Sequence, residues 1–414
     1  MPEFLTLLPP DQARDKLFAH LSMQTIDSET IVVDSALGRV TADDILAPHP
    51  LPEFPRTSVD GYAVRAQDSF GATDSLPAYL NLIGEVPMGD APSFEIDAGQ
   101  CAMIHTGGML PKGADAVVML EYAQSAQTDE IEIFKSVADG ENVIRIGEDV
   151  AKDQVVISKG TILRPAEIGG LLALGITALR VARKVKVGLI STGDEVIEPG
   201  GRPRPGQVRD INSYTLGALV EKSGGMAVRY GIFGDQFEVL KEAAAKALTE
   251  CDLVIITAGS SASTRDMTAD VIRGLGEPGV LVHGINTRPG KPTILGVCKG
   301  KAVIGLPGNP VSALVNGYLF VTPVIEKLLG ALPKPKASVR ARLTVNLPSQ
   351  AGREDWWPVK LIENRKPEIA QYDAEPIFGK SNLIFTLAAA DGLLKIHPDA
   401  TGLSAGEIVE VMLV

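Results

Sequence analysis

The feature that most constrains this chain is a series of three apolar strands between residues 182 and 331, each running into a glycine-rich loop. Val185–Ile190 leads into Ser191-Thr-Gly-Asp-Glu195, Leu253–Thr257 into Ala258-Gly-Ser-Ser261, and Ala302–Leu306 into Pro307-Gly-Asn-Pro310. Helical stretches lie between or after them, at Tyr214–Ser223, Gln236–Thr249, Met267–Gly274 and Val311–Leu329. Strands that alternate with helices imply a parallel sheet covered on both faces. Crossovers of this kind are right-handed, and ligands bind at the carboxyl ends of the strands. All three glycine-rich loops lie at such ends.

At 414 residues the chain is too long for one core, since domains usually run about 100–200 residues. Residues 48–140 show short β-like runs (Gly61–Val64, Leu80–Val86, Cys101–Ile104, Ala116–Leu120, Ile131–Phe134) separated by Gly, Pro and Asp, as in a mostly β domain. Apolar positions at helical spacing mark a helix over 11–24, and Thr30–Val33 reads as a strand. Glu167–Gly175 reads as a short helix ending at a glycine. A segment so short has to pack on something else, and the expectation is that it rejoins the N-terminal helix. Residues 1–47 and 141–181 would then form one discontinuous, elongated domain. Leu332–Lys336 is a linker in composition. Beyond it, Val339–Leu347, Leu383–Thr386 and Gly406–Val414 alternate polar and apolar as in a small β-barrel over 332–414. The expected fold class is therefore α/β multi-domain: a three-layer α/β domain over 182–331 with a mostly parallel sheet, a mostly β domain, a discontinuous elongated N-terminal domain and a C-terminal β-barrel.

The formal net charge of -12 argues against nucleic-acid binding, which draws its affinity from phosphate neutralisation. A local basic pocket can still take a small anion. Cys101, Cys251 and Cys298 are far apart and odd in number, as in reduced, buried thiols of a cytoplasmic protein. The first residues lack the basic stretch of a signal peptide, and apolar runs break short of the ~18 residues a membrane helix needs. A soluble, cytoplasmic protein without membrane partners is expected. The five histidines are scattered, with no H-E-x-x-H, no Cys/His cluster, no G-x-S-x-G and no Walker A sequence. Histidine-based nucleophilic catalysis and structural zinc are thereby disfavoured. Loop carboxylates, hydroxyls, glycines and a few cations remain, an inventory suited to hard-metal and phosphate chemistry.

Gly308 and Asn309 precede Pro310, with Asn309 suited to cap a helix and Pro310 to its first turn. Such a start can hold an anion or can be only a helix start. Thr287-Arg-Pro-Gly-Lys-Pro-Thr293 presents Arg288 and Lys291 on a turn stiffened by two prolines. Beside the Gly308 loop, these cations make an oxyanion site the better reading. Asp194 and Glu195, behind two hydroxyls and a glycine, can bind Mg²⁺. Asp235 and Asp266 fall on other loop ends of the same sheet, where each could also be a simple turn residue. Asp60-Gly61 fits a hairpin turn, and the residues alone give Asp60 and Thr106 no specific role.

Seven segments in this order resemble the MoeA family, which includes the gephyrin E domain. They are Val59-Asp-Gly-Tyr-Ala-Val-Arg65; Thr106-Gly with Lys112-Gly-Ala-Asp-Ala-Val117; Glu141-Asn-Val-Ile-Arg145 with Gly147-Glu-Asp149; Ser191–Glu195; Gly206-Gln-Val-Arg-Asp210 with Asn212; Pro289-Gly-Lys-Pro292; and Leu306-Pro-Gly-Asn-Pro-Val-Ser312. The resemblance spans roughly residues 10–325. It departs from the family pattern at Ala258–Ser263, where two glycines are replaced, at Val59, where a Met is usual, and at Arg288, where a Lys is common.

The resemblance implies a molybdopterin molybdotransferase, which inserts molybdate into adenylylated molybdopterin and releases AMP with Mg²⁺ or a similar divalent ion. It implies a homodimer whose active site is shared, the β domain of one protomer facing the α/β domain of the other. Asp60, Thr106, Glu195, Asp235 and Asp266 are the implied catalytic residues, with Asp194, Glu195, Asp235 and Asp266 at the metal. Ser191, Thr192, Gly193, Ser260, Ser261, Arg288, Gly290, Lys291, Pro307, Gly308, Asn309, Pro310 and Ser312 are expected to bind substrate. The alternatives are a non-catalytic, pterin-binding scaffold paralogue of the same fold and a related nucleotide or pterin hydrolase.

Overall fold

The computed structural model describes residues 7–22, 26–258, 262–364 and 370–414, without the side chains of 262–266. Its centre is a six-stranded sheet in the order Gly225–Phe233, Val185–Thr192, Leu253–Ala258, Lys301–Pro307, Ile294–Cys298, Pro278–His283. The first four strands are parallel, Ile294–Cys298 runs antiparallel to them, and Pro278–His283 pairs antiparallel with Ile294–Cys298. The three strands read from sequence are thus adjacent in the middle of the sheet. Their near-continuous apolar runs follow from burial on both faces. Leu189, Ile255 and Ile304 join one core, and their neighbours Ile190, Ile256 and Val303 the other.

Helices Asn212–Lys222 and Pro310–Asn316 cover the first face, and Phe237–Glu250 and Ala262–Arg273 the second. The helical stretch Pro310–Leu328 is long and apolar enough to pass for a membrane span, but 61% of it is buried. With Val311, Phe320, Val324 and Ile325 in the first core, it is a core helix. Its middle turn, Gly317–Val321, is π-helical.

Helix Pro10–His20 also packs here, through Ala13 and Leu17, against the two antiparallel strands. The sequence suggests that it joins helix Pro165–Ala173, but the two helices pack into different cores. Helix Pro165–Ala173 covers Val33–Ser35, and strand Ser28–Val32 pairs antiparallel with Ala178–Ala182. The apolar stripe of Pro10–His20 is therefore satisfied by the α/β sheet rather than by the discontinuous segment.

A second six-stranded sheet runs in the order Ala116–Met119, Gly61–Val64, Gln100–Ile104, Ala78–Glu85, Glu130–Ile133, Ala123–Gln127. Alternate residues feed two small cores, Val64, Cys101 and Val118 on one face and Ala63, Ala102 and Val117 on the other. Asp60-Gly61 is not a hairpin turn. Gly61 opens a strand flanked on both sides, and a Cβ there would overlap the Val118 carbonyl.

At the C-terminus, Ser338–Leu343, Glu354–Glu363, Tyr372–Pro376, Gly392–Ile396 and Ile408–Leu413 close into a five-stranded barrel. Leu383–Thr386, read as a strand, is instead a turn entering the short helix Phe385–Ala388, where Leu387 alone is buried. Thr287–Arg288, from the α/β domain, adds a parallel rung to barrel strand Glu354–Glu363. This rung ties the two domains together at the loop that carries the expected oxyanion cations.

Candidate functional site

The strand-end loops and the barrel enclose a cleft of about 860 Å³. One wall is Arg288, Pro289, Gly290 and Lys291 with Pro307, Asn309 and Ser312; the other is Arg353, Asp355, Trp357, Lys380, Ser381 and Asn382. Four cations and several hydroxyl and amide groups therefore converge on one space in an otherwise acidic chain. Sequence reasoning found the first wall and missed the second. The adjacent Trp356 and Trp357, the chain's two tryptophans, were the available signal.

The Arg288–Lys291 turn is built rigidly. Gly290 has φ +106°, and a Cβ on it would overlap the Asn316 amide. Asn316 is fully buried and donates from Nδ2 to the carbonyls of Pro289 (3.1 Å) and Ser312 (2.8 Å). The Thr293 hydroxyl donates to the Gly290 carbonyl at 2.8 Å. One buried amide thus fixes both the cation turn and the Pro310 helix. Pro310 occupies the first turn as expected. Asn309 stands at the cap position but makes no side-chain cap bond, and it lines the cleft instead.

Arg288 is held loosely. Its Nη1 lies 3.8 Å from Asp355 Oδ2, and its guanidinium 5.7 Å from the centre of the Trp357 ring. Asp355 is fully buried, and its main partner is Arg353, which reaches it in a fork at 2.7 and 3.2 Å. Lys291 is exposed and makes no ion pair among the described residues.

The carboxylate rim lies at other strand ends of the same sheet. Asp194 Oδ1 accepts from the Asp235 backbone N–H at 3.2 Å, so these two loops meet. Glu195 folds back over Gly193, whose φ is +131°. Ser191 and Thr192 do not face solvent. Ser191 Oγ donates to buried Asp210 at 2.7 Å, and Thr192 Oγ1 to the Thr257 carbonyl at 3.2 Å. They hold the loop in place. Asp266 belongs to helix Ala262–Arg273, not to a loop, and its side chain, like Ser260 and Ser261 altogether, lies outside the described residues. Among the described residues no three His, Cys, Asp or Glu side chains form a ready metal cage. The hard oxygen donors of Asp194, Glu195 and Asp235 fit the mode in which Mg²⁺ takes one or two carboxylates and completes its shell from water and substrate phosphates.

Asp60 and Thr106 lie at the ends of strands Gly61–Val64 and Gln100–Ile104 of the second six-stranded sheet, in a different domain. The Thr106 N–H and hydroxyl both donate to Asp60 Oδ1, at 2.7 and 3.1 Å. These bonds, and more weakly the nearby His105, hold the Asp60 carboxyl below the usual carboxylate range. The His105 ring bridges Asp60 (3.6 Å) and Glu85 (3.1 Å), a contact the sequence did not suggest.

Known proteins decide the family. Residues 8–175 match the MoeA N-terminal region (domains I and II), 188–327 a probable molybdopterin binding domain and 340–414 the MoeA C-terminal region (domain IV). The chain belongs to the MoeA family. The family match reaches through the barrel, further than the seven sequence segments. This MoeA-family chain is 38% identical to a putative molybdopterin biosynthesis protein of Methanocaldococcus jannaschii, over 98% of both chains. It is 33% identical to the molybdopterin molybdenumtransferase of Haemophilus influenzae, again over 98% of both. The MoeA molybdopterin biosynthesis protein of Pyrococcus horikoshii OT3 shares its structure with a TM-score of 0.86 at 36% identity, covering 99% of this chain and all of that one.

Proposed function

We propose that this protein is a molybdopterin molybdotransferase, joining molybdate to the dithiolene of adenylylated molybdopterin and releasing AMP. The observation that carries the reading is the cleft with two cationic walls, Arg288 and Lys291 on a rigid turn facing Arg353 and Lys380 across about 860 Å³. A tetrahedral dianion and a pyrophosphate are both served by convergent donors carried on a backbone fixed before binding, because a preorganised turn needs less reorganisation during reaction. Relatives at about one-third identity carry the transferase name. Arg288 and Lys291 hold oxyanion or phosphate oxygens, assisted by Asn309 and Ser312.

On the rim, Glu195, Asp235 and Asp266, with Asp194, would hold Mg²⁺ and orient the water that cleaves the pyrophosphate. Bound there, Mg²⁺ would neutralise charge on the phosphate oxygens. Asp60 and Thr106 complete the site of a second protomer in a homodimer, which accounts for an ionised, exposed carboxylate on a domain other than the one that carries the cleft. The three cysteines are buried and unpaired, which suits a cytoplasmic enzyme.

The test is direct. Purified protein with Mg²⁺ and adenylylated molybdopterin should release AMP, faster with molybdate. Release indifferent to molybdate would point to a hydrolase instead. Mixing Asp60→Ala with Lys291→Ala protein should restore part of the activity that each lacks alone, if the site is shared.

A further inference from the structure

The cleft is larger than an oxyanion needs. At about 860 Å³ it lies in the range, about 300–1,000 Å³, of pockets that enclose a whole small molecule. A tetrahedral oxyanion occupies a small part of that, and the cations account for its charge. The remaining space has an aromatic wall. Trp356 and Trp357 both line the cleft, and they are its aromatic side chains among the described residues.

The two rings alternate along strand Glu354–Glu363, so they face opposite ways. Trp356 packs toward the α/β core and Trp357 toward the barrel core. Trp357 is half-buried. Phe378 fixes it edge-on, with ring centres 5.6 Å apart at 70°. The Arg288 guanidinium stands over one face of the same ring, 5.7 Å from its centre. The indole N–H groups of Trp357 and of its neighbour Trp356 are buried and have no acceptor among the described residues. Burying an unpaired donor carries a desolvation cost that a phenylalanine here would avoid. The fold keeps a large, flat ring in the cleft at some expense, as sites do when a local rule is broken for function.

We propose that Trp357 is the stacking wall for a planar heteroaromatic ring of the substrate, seated beside Arg288 while the cations of the cleft hold the anionic groups. The inference rests on the transferase reading for its ligand, since adenylylated molybdopterin carries two such rings, pterin and adenine. Stacking is sequence-tolerant among bases because every heteroaromatic ring has a π-face, so the two rings are separated by experiment.

In a full-length Trp356→Phe variant, Trp357 is the sole tryptophan. Its fluorescence should be quenched on titration with AMP in one arm or with a pterin phosphate in the other, and the arm that quenches names the ring. In the otherwise native chain, Trp357→Leu should bind that compound at least about tenfold more weakly by calorimetry. Trp357→Phe should recover most of the loss, and molybdate affinity should not change. Absence of quenching in both arms overturns the proposal, and so does a Trp357→Leu protein that binds as tightly as the parent. The quenching arms leave Trp357 in place, so they decide the matter even if the leucine variant does not fold. Both measurements read binding alone. Quenching in a protein that releases no AMP would remove the transferase reading and leave the stacking wall standing.

Discussion

Thr106 reaches one oxygen of Asp60 twice, from its backbone N–H at 2.7 Å and from its hydroxyl at 3.1 Å. The backbone bond is the larger cause of the lowered Asp60 pKa, the hydroxyl comes next, and His105 adds a smaller coulombic pull. A carboxyl lowered in the folded state keeps its ionised contacts above its ordinary value, and loses them only as pH falls through the lowered one. Asp60 is therefore fully ionised at neutral pH. Thr106→Val keeps the N–H and removes the hydroxyl, so the Asp60 midpoint should rise but stay below that of an unfolded aspartate. His105→Ala should raise it less. Carboxyl-carbon NMR titration reads both shifts, and equal midpoints in all three proteins would refute this account.

Asn316 and Gly290 are predicted to act as one unit. Asn316→Ala leaves the Pro289 and Ser312 carbonyls without their donor in a buried place, which should cost about 2–4 kcal/mol. Gly290→Ala places a methyl group on the Asn316 amide at a left-handed backbone position, at a similar cost of roughly 2–4 kcal/mol. Because both changes disturb one contact, the double variant should be less destabilised than the sum of the two. Urea denaturation gives the three values, and strict additivity would show that the contact is not shared.

Asp210 offers a separate check on the Ser191 loop. It is buried and accepts from the hydroxyls of Ser191 (2.7 Å) and Ser213 (2.6 Å) and from the Ser213 N–H (3.1 Å). It joins the glycine-rich loop to the start of helix Asn212–Lys222. Asp210→Ala strands these donors and should cost about 2–4 kcal/mol, whereas Ser191→Ala removes one bond and should cost about 1 kcal/mol. A Ser191→Ala protein that lost substrate affinity with no loss of stability would return Ser191 to a role in binding.

The parallel strands were readable because burial on both faces writes itself as uninterrupted runs such as Leu253–Ala258. The edge strands Gly225–Phe233 and Pro278–His283 were not, because mixed exposure blurs their period, and Ile294–Cys298, though buried throughout, is short and interrupted by Gly296. Arg288 and Lys291 could be picked out since prolines and glycines flag a rigid turn locally. Nothing local in Arg353, Lys380 or Ser381 says that they face that turn; a parallel rung between Thr287–Arg288 and Glu354–Asp355 brings them there. Ser191 and Thr192 were expected by motif to bind substrate, and only tertiary structure shows that Asp210 and Thr257 take their hydroxyls.

That rung also separates two kinds of cation in the cleft. Arg353 grips Asp355, whose side chain is 1% exposed, in a short fork, while Arg288 stands off at 3.8 Å. Removing Arg353 leaves a buried carboxylate with one distant partner, and breaking such a pair typically costs about 3–5 kcal/mol. Arg353→Ala should therefore lower the denaturation midpoint sharply and disturb the barrel. Lys291 has no ion pair among the described residues, so Lys291→Ala should leave stability within about 0.5 kcal/mol of the parent. Its effect belongs to binding: losing one charge-assisted contact to an oxyanion, worth about 1.5–3 kcal/mol, should weaken molybdate binding roughly tenfold to a hundredfold. Arg288→Ala should fall between the two, with a small loss of stability and a clear loss of affinity. Calorimetric titration with molybdate, run beside urea denaturation on the same three variants, checks the division. A Lys291→Ala protein that binds molybdate normally would remove the oxyanion from this wall of the cleft.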